Sequence, residues 1–354
     1  MRDVLAEWRP VVDAGIAEVL PRRIDDAYLS DFFGPASYAY DPEALQKALS
    51  EPIWDLLDRG GKRWRAIVCL LLLDGFGEDP HEYRSYGIIP EVLHNGTIIV
   101  DDVEDGARLR RGEPALHHKY GVDVALNAGN AMYFLPLKVI SHNPAGLDPD
   151  IRLRIYEMLM YELNRTHLGQ GMDIHWHNAS GIEVTEEAYL EMCACKTGCL
   201  GRIVGRLASI IADKPPAVEE SVAKYAETMC IAFQIGDDIL DVKNTLDQAG
   251  DFGKEFGNDI LEGKKTLMVI HAIQNADPND AERLVSILMA SENSDEEILE
   301  AIDILQRTES ISYARERALE FGEMAREHLR SVDLKPERAE ELSAFTRFVI
   351  DRET

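Results

Sequence analysis

Two short stretches put several carboxylates within reach of a single ligand. In IIVDDVEDGARLRRG, residues 98–112, Asp101, Asp102, Glu104 and Asp105 close an apolar run, and Arg108, Arg110 and Arg111 come directly after. In FQIGDDILDV, Asp237, Asp238 and Asp241 repeat the D-D-x-x-D spacing. On a helix the first and last aspartates of each string share a face and the middle one lies about 100° round, so each string aims carboxylates at one small volume. A single such string in a chain with 64 acidic residues would be ordinary solvated surface. Two strings, both set in apolar helical runs, need a counter-charge, because buried carboxylates are costly to ionise alone. Oxygen-only donors suit Mg²⁺, which binds carboxylates, keeps waters and bridges to substrate phosphates. Neither string has the alternating ligands and sixth-position Gly of an EF-hand calcium loop.

The cations point the same way. DRGGKRWRA, residues 58–66, sets Lys62, Arg63 and Arg65 behind a Gly pair, where a freely turning backbone can gather donors on one anion. With Arg110, Arg111, Lys196, Lys254, Lys264 and Lys265, an acidic protein acquires local sites for phosphate groups. The Gly-x-x-x-x-Gly-Lys-Ser/Thr loop of nucleotide-binding proteins is absent.

The elements that must position these groups are helical throughout. Apolar residues recur at helical spacing, as at Ile89, Val92, Leu93, Ile99, Val100 and Val103, and at Met229, Phe233, Ile239 and Leu240, and no alternating strand pattern stands out. Breaks fall at Asn143-Pro144, Lys214-Pro215-Pro216 and Asp277-Pro278, and Ser294 to Glu297 reads as a capping box. An all-α protein is expected, as one domain over 1–354, with a charged helical tail from about 294 packed on its outside. Formal net charge −27 and pI near 4.7 argue against a nucleic-acid partner. The longest apolar run, AIVCLLLL at 66–73, is far short of the ~20 residues that span a bilayer, and MRDVLAEWRP lacks the apolar stretch of a signal peptide. A soluble, cytoplasmic protein is expected. Cys69, Cys193, Cys195, Cys199 and Cys230 are odd in number and sit in apolar segments, which suits buried thiols rather than disulfides or zinc. Neither His117 with His118 nor His175 with His177 has the i, i+4 spacing of paired helical ligands.

In order along the chain, GGKRWR at 60, HNGTIIVDDVEDGARLRRG at 94, GQGMDI at 169, KTG at 196, FQIGDDILD at 233 and GKEFGNDILEGKKT at 253 resemble the isoprenyl diphosphate synthases, the head-to-tail trans-prenyltransferases. One departure is Ala66, directly after GGKRWR, where that family usually has Pro. The resemblance implies a single helical bundle around a central cavity, with the catalytic core at about 55–270. It implies three Mg²⁺ per active site, held by Asp101, Asp102, Asp105, Asp237, Asp238 and Asp241 from clusters that face each other. Arg110, Lys196, Thr197, Gln234, Lys254 and Lys264 would hold the allylic diphosphate; Lys62, Arg65, His94 and Arg111 would hold isopentenyl diphosphate. Gln170, Asp173 and Phe233 would line the reacting region. A homodimer is implied as well.

Product length is expected to depend on the residues before Asp101. Leu93, Gly96 and Thr97 stand there in place of the bulky aromatic pair of many farnesyl-producing relatives, so the pocket should pass fifteen carbons. The form D-D-x-E-D, with NAMYF and GQGMDIHWHN, is similar to eukaryote-type geranylgeranyl diphosphate synthases, which implies a floor at Tyr133, Phe134 and His167 and a C20 product. Longer products, a class I terpene cyclase and a non-catalytic partner subunit are the alternatives. The GGKRWR site and the second aspartate cluster weigh against a cyclase, and the intact clusters weigh against a silent subunit.

Overall fold

The computed structural model describes residues 1–179, 183–246, 256–290 and 292–350. They are helical apart from loops and one two-residue hairpin, and the chain forms two compact units. One comprises Met1–Tyr156 with Leu207–Asp213, the other Glu157–Arg206 with Lys214–Thr354.

The first unit is built on the helix Trp64–Phe76, in which every residue from Ala66 to Leu73 is fully buried. A helix apolar on all sides belongs at the centre of a core, and this is where AIVCLLLL goes. Beside it, the helix Ile89–Glu104 opens with Pro90 and buries Ile89, Val92, Leu93 and Ile99. It packs on the helix Val122–Phe134 and delivers the first acid cluster at its carboxyl end. The helix Lys138–His142 stops at Asn143, φ 52°, as the Asn-Pro signal suggests.

The second unit centres on the helix Pro216–Leu246, which carries the second cluster. The expected cap at Ser294 is present, with Ser294 and Glu297 bonded reciprocally. The tail differs from expectation. The helix Ser310–Arg330 packs along Pro216–Leu246 and buries Ala314, Ala318 and Ala325, so it is core, not covering. Small residues at these positions admit the neighbouring helix closely, whereas the many charges that suggested an outer layer lie on its other face. The next helix, Pro336–Ile350, is tied to the same core by the Tyr225 hydroxyl, which donates to the Leu342 carbonyl at 2.9 Å. All five cysteines are free and buried. Among the described residues no helix is long and apolar enough to cross a membrane.

Candidate active site

In the first unit, Asp101, Asp102 and Glu104 occupy the last turn of Ile89–Glu104 and Asp105 caps it, with no basic residue in that turn. Acids at the negative end of a helix dipole are disfavoured by about 0.3–1 kcal/mol each at exposed sites. The chain answers with a hairpin that the sequence did not suggest, Leu109↔Pro114 and Arg110↔Glu113. Its turn residues Arg111 and Gly112 have φ 56° and 78°, the pair of positive angles that a tight two-residue hairpin needs. Folding back places Arg110 on the buried Asp102, with Nε donating to Oδ1 at 2.8 Å. Arg111 donates to the carbonyls of Leu56 at 2.9 Å and Gly60 at 2.8 Å and to Asn95 Oδ1 at 3.1 Å. Arg59 fastens the hairpin, donating to the Arg110 carbonyl at 3.2 Å and the Pro114 carbonyl at 2.8 Å.

The cations of the Gly-Gly loop divide in two. Arg63 is an internal brace: it is buried and donates to Asp13 at 3.0 Å and to the carbonyls of Leu57 at 2.7 Å and Gly60 at 3.1 Å. Arg65 is buried against the Trp64 ring, 4.3 Å from its centroid, while Lys62 is exposed. Burial, then the charges of Arg65, Arg111 and Arg110, hold the His94 imidazole well below its usual pKa, so it is neutral at pH 7. Burial and Arg63 lower Arg111 to about 10, which leaves it charged. Lys62 aside, the structure therefore gathers the residues expected to hold isopentenyl diphosphate around one another.

In the second unit a chain of hydrogen bonds fixes the other cluster. Thr197 Oγ1 donates to Gln234 Oε1 at 3.0 Å, Gln234 Nε2 to Asp238 Oδ1 at 2.9 Å, and the Tyr189 hydroxyl to Asp238 Oδ2 at 2.9 Å. Lys196 Nζ reaches Asp173 Oδ2 at 2.6 Å, and the Asp259 amide donates to Asp241 Oδ2 at 3.2 Å. Lys264 pairs with Glu262 and lies 3.8 Å from Asp259. Asp237, Phe233 and Gln170 are half-buried, and Lys254 lies outside the described residues. Sequence reasoning missed Arg59, Asn95, Tyr189 and Asp259; Asn95 and Asp259 stand inside the family-like motifs, but nothing in the sequence marks Arg59 or Tyr189.

Lys196 and Thr197 sit in a π-helical turn, Ala194–Gly198, pressed against the helix Pro149–Asn178 at Gly169. A Cβ added at Gly169 would stand 2.3 Å from the Lys196 amide nitrogen, so only glycine lets the turn approach this closely.

The donors fit a divalent cation. Burial, and after it the nearby Asp259, raises the Asp238 carboxyl to about 8, against the help of Gln234 and Tyr189. A carboxylate so reluctant to ionise alone is stabilised by a hard cation. Among the described residues no three His, Cys, Asp or Glu side chains are grouped as a ready-made metal site. Between the ordinary 3.8 and about 8 the native state keeps a proton at Asp238 that the unfolded chain has lost, so metal-free stability falls as pH rises through that window. Mg²⁺ held by Asp238 would displace this proton. The Mg²⁺-induced rise in Tm is therefore expected to grow from pH 5 to pH 8; a shift independent of pH would contradict the assignment.

Residues 46–305 match the polyprenyl synthetase family. The chain belongs to that family. It is an enzyme, a trans-prenyltransferase. The chain is 32% identical over 307 residues to a geranylgeranyl diphosphate synthase of Saccharolobus solfataricus, covering 86% of this chain and 91% of that one. A geranylfarnesyl diphosphate synthase of Natronomonas pharaonis is 30% identical, covering 95% and 93%. The crystal structure of a geranylgeranyl pyrophosphate synthetase from Pyrococcus horikoshii superimposes with TM-score 0.84 at 29% identity, covering 99% of both chains. The polyprenyl synthetase fold is thus the all-α architecture that the helical periodicity implied.

Proposed function

We propose that this polyprenyl synthetase condenses isopentenyl diphosphate with an allylic diphosphate head to tail and forms the C20 product, geranylgeranyl diphosphate. The observation that carries the reading is that each acid cluster is built together with cations and neutral hydrogen-bonding groups: Asp102 with Arg110, Arg111, Arg65 and neutral His94 in one unit, Asp238 with Lys264, Lys196, Gln234 and Thr197 in the other. The names of the Saccharolobus and Pyrococcus relatives support C20.

Three Mg²⁺, held by Asp101, Asp102, Asp105, Asp237, Asp238 and Asp241, would supply positive charge where the departing diphosphate develops negative charge. Arg110, Lys196, Lys254, Lys264, Thr197 and Gln234 hold that diphosphate through and after carbon–oxygen cleavage. Lys62, Arg65, His94 and Arg111 hold isopentenyl diphosphate, whose double bond attacks the allylic cation. The released diphosphate takes the proton that the new cation sheds, so no nucleophilic side chain is required. The cavity that holds the allylic cation would have to be apolar to keep water from it. The five free, buried thiols support work in the reducing cytoplasm.

For the floor, Tyr133 is the best-supported residue. It is half-buried over Gly96, its Cε1 3.3 Å from where a Cβ there would stand, and Gly96 lies just over one turn before Asp101. Phe134 is 68% exposed and His167 is exposed, so their part in a floor requires cover from a second copy. Homodimer formation is part of the proposal: Met160, Tyr161 and Leu168 are 58–64% exposed and, with Arg165, Glu191 and Cys195, line an open groove of about 580 Å³ within the second unit. The Natronomonas relative's name keeps C25 as the second reading. Tyr133→Ala is expected to lengthen the product beyond C20, read by chromatography of the dephosphorylated alcohols. An unchanged profile would return Tyr133 to ordinary packing.

A further inference from the structure

We infer that Arg202 is a positioning residue for the allylic diphosphate, fixing the π-helical turn that carries Lys196 and Thr197 to the two long helices that carry Asp173 and Asp238. The inference rests on the reading that Lys196 and Thr197 hold that diphosphate.

The chain is α-helical over Glu186–Cys193, π-helical over Ala194–Gly198 and α-helical again over Cys199–Ile211. A π turn is rare and occurs mostly as a single turn inside an α-helix, frequently at a functional site. Relative to a continuous α-helix, its extra residue rotates the downstream helix by about 100°. The directions of Lys196 toward Asp173 and of Thr197 toward Gln234 therefore depend on the turn being held.

Arg202 is built to hold it. The side chain is 3% exposed, and Nη1 donates to the carbonyl of Ala194, the first residue of the turn, at 3.1 Å. Its Nε donates to Glu162 Oε2 at 2.8 Å, and Nη1 also meets the Glu227 carboxylate. Glu162 lies on Pro149–Asn178 and Glu227 on Pro216–Leu246. Each stands eleven residues before the site carboxylate of its own helix, Asp173 or Asp238, which is about three turns on the same face. One guanidinium thus joins three elements at a common depth below the half-site. Its planar fork reaches several acceptors at once, which an ammonium cannot do. Burying such a trio is a poor route to stability, since well-packed apolar residues often replace buried ion pairs without loss. Fixing the register of three helices accounts for its presence.

The test is steady-state kinetics on two variants of the full chain. Arg202→Lys keeps the buried charge and loses the fork. The triple variant Arg202→Met, Glu162→Gln, Glu227→Gln removes every charge of the trio; Lys224, which pairs with Glu227 at 2.7 Å, is 43% exposed and can turn to solvent, and Arg206 keeps Glu219 and Glu220, so no buried ion is left unpaired. For both we expect KM for the allylic diphosphate to rise about ten-fold or more, KM for isopentenyl diphosphate to stay within about two-fold, and amides 194–198 to exchange faster than the rest of their helix. A wild-type allylic KM in either folded variant overturns the inference; if the triple variant does not fold, Arg202→Lys decides it. Lys196→Ala is the control. If that variant binds the allylic diphosphate normally, the reading of Lys196 fails, and unchanged amide exchange at 194–198 in Arg202→Lys still overturns the role of Arg202 on its own.

Discussion

Asp101→Ala is expected to slow condensation by about 10³-fold while leaving the protein folded. Asp101 is half-buried in the last turn of Ile89–Glu104, one of four acids gathered at the negative end of that helix dipole. Removing one relieves repulsion between like charges, so Tm should hold or rise slightly. The loss falls on chemistry, because the proposal makes Asp101 a ligand of the cation that receives the departing diphosphate's charge. Far-ultraviolet circular dichroism with a thermal melt, alongside rates across a Mg²⁺ titration, separates the two effects. A folded variant with the wild-type rate at limiting Mg²⁺ would show that Asp101 is no ligand.

Gly169→Ala should be the most damaging change that adds only one methyl group. The new Cβ would lie 2.3 Å from the Lys196 nitrogen and 2.8 Å from both the Cys195 carbonyl carbon and the Lys196 Cα. All three are backbone atoms, so no side chain can swing away, and the π turn must back off from the helix. Overpacking of this kind costs about 1–3 kcal/mol, which for a chain of this size lowers Tm by roughly 1–4 °C. The larger effect is on rate: a shift of about 1 Å at Lys196 breaks its 2.6 Å contact with Asp173 and should cost about 10²-fold in kcat/KM for the allylic substrate. Unchanged kinetics would mean that the turn does not place Lys196 for catalysis.

The acid clusters were legible because two D-D-x-x-D strings in apolar helices leave few physical alternatives, and helix boundaries at Asn143, Asp277 and Ser294 came from capping chemistry. Arg110 and Arg111 were legible as charges, but the hairpin that aims them rests on two positive φ angles at an Arg-Gly pair, a weaker signal than Asn-Gly. Tyr189 and Arg202 could not be found from spacing. Each acts through contacts 49, 40 or 25 residues away in sequence, which only the packed helices bring together. The tail was misplaced for a different reason: charge density along Ser310–Arg330 outweighed the stripe through Ala314, Ala318 and Phe321, which is legible in the sequence and is the face that the neighbouring helix covers.

The central claim, head-to-tail condensation ending at C20, is tested most directly by incubating the purified chain with Mg²⁺, labelled isopentenyl diphosphate and dimethylallyl, geranyl or farnesyl diphosphate in turn, and reading product carbon number. The account predicts label incorporation that requires isopentenyl diphosphate and accumulates as a C20 diphosphate from every starter accepted. Absence of any condensed product from the folded, Mg²⁺-supplied protein would contradict it.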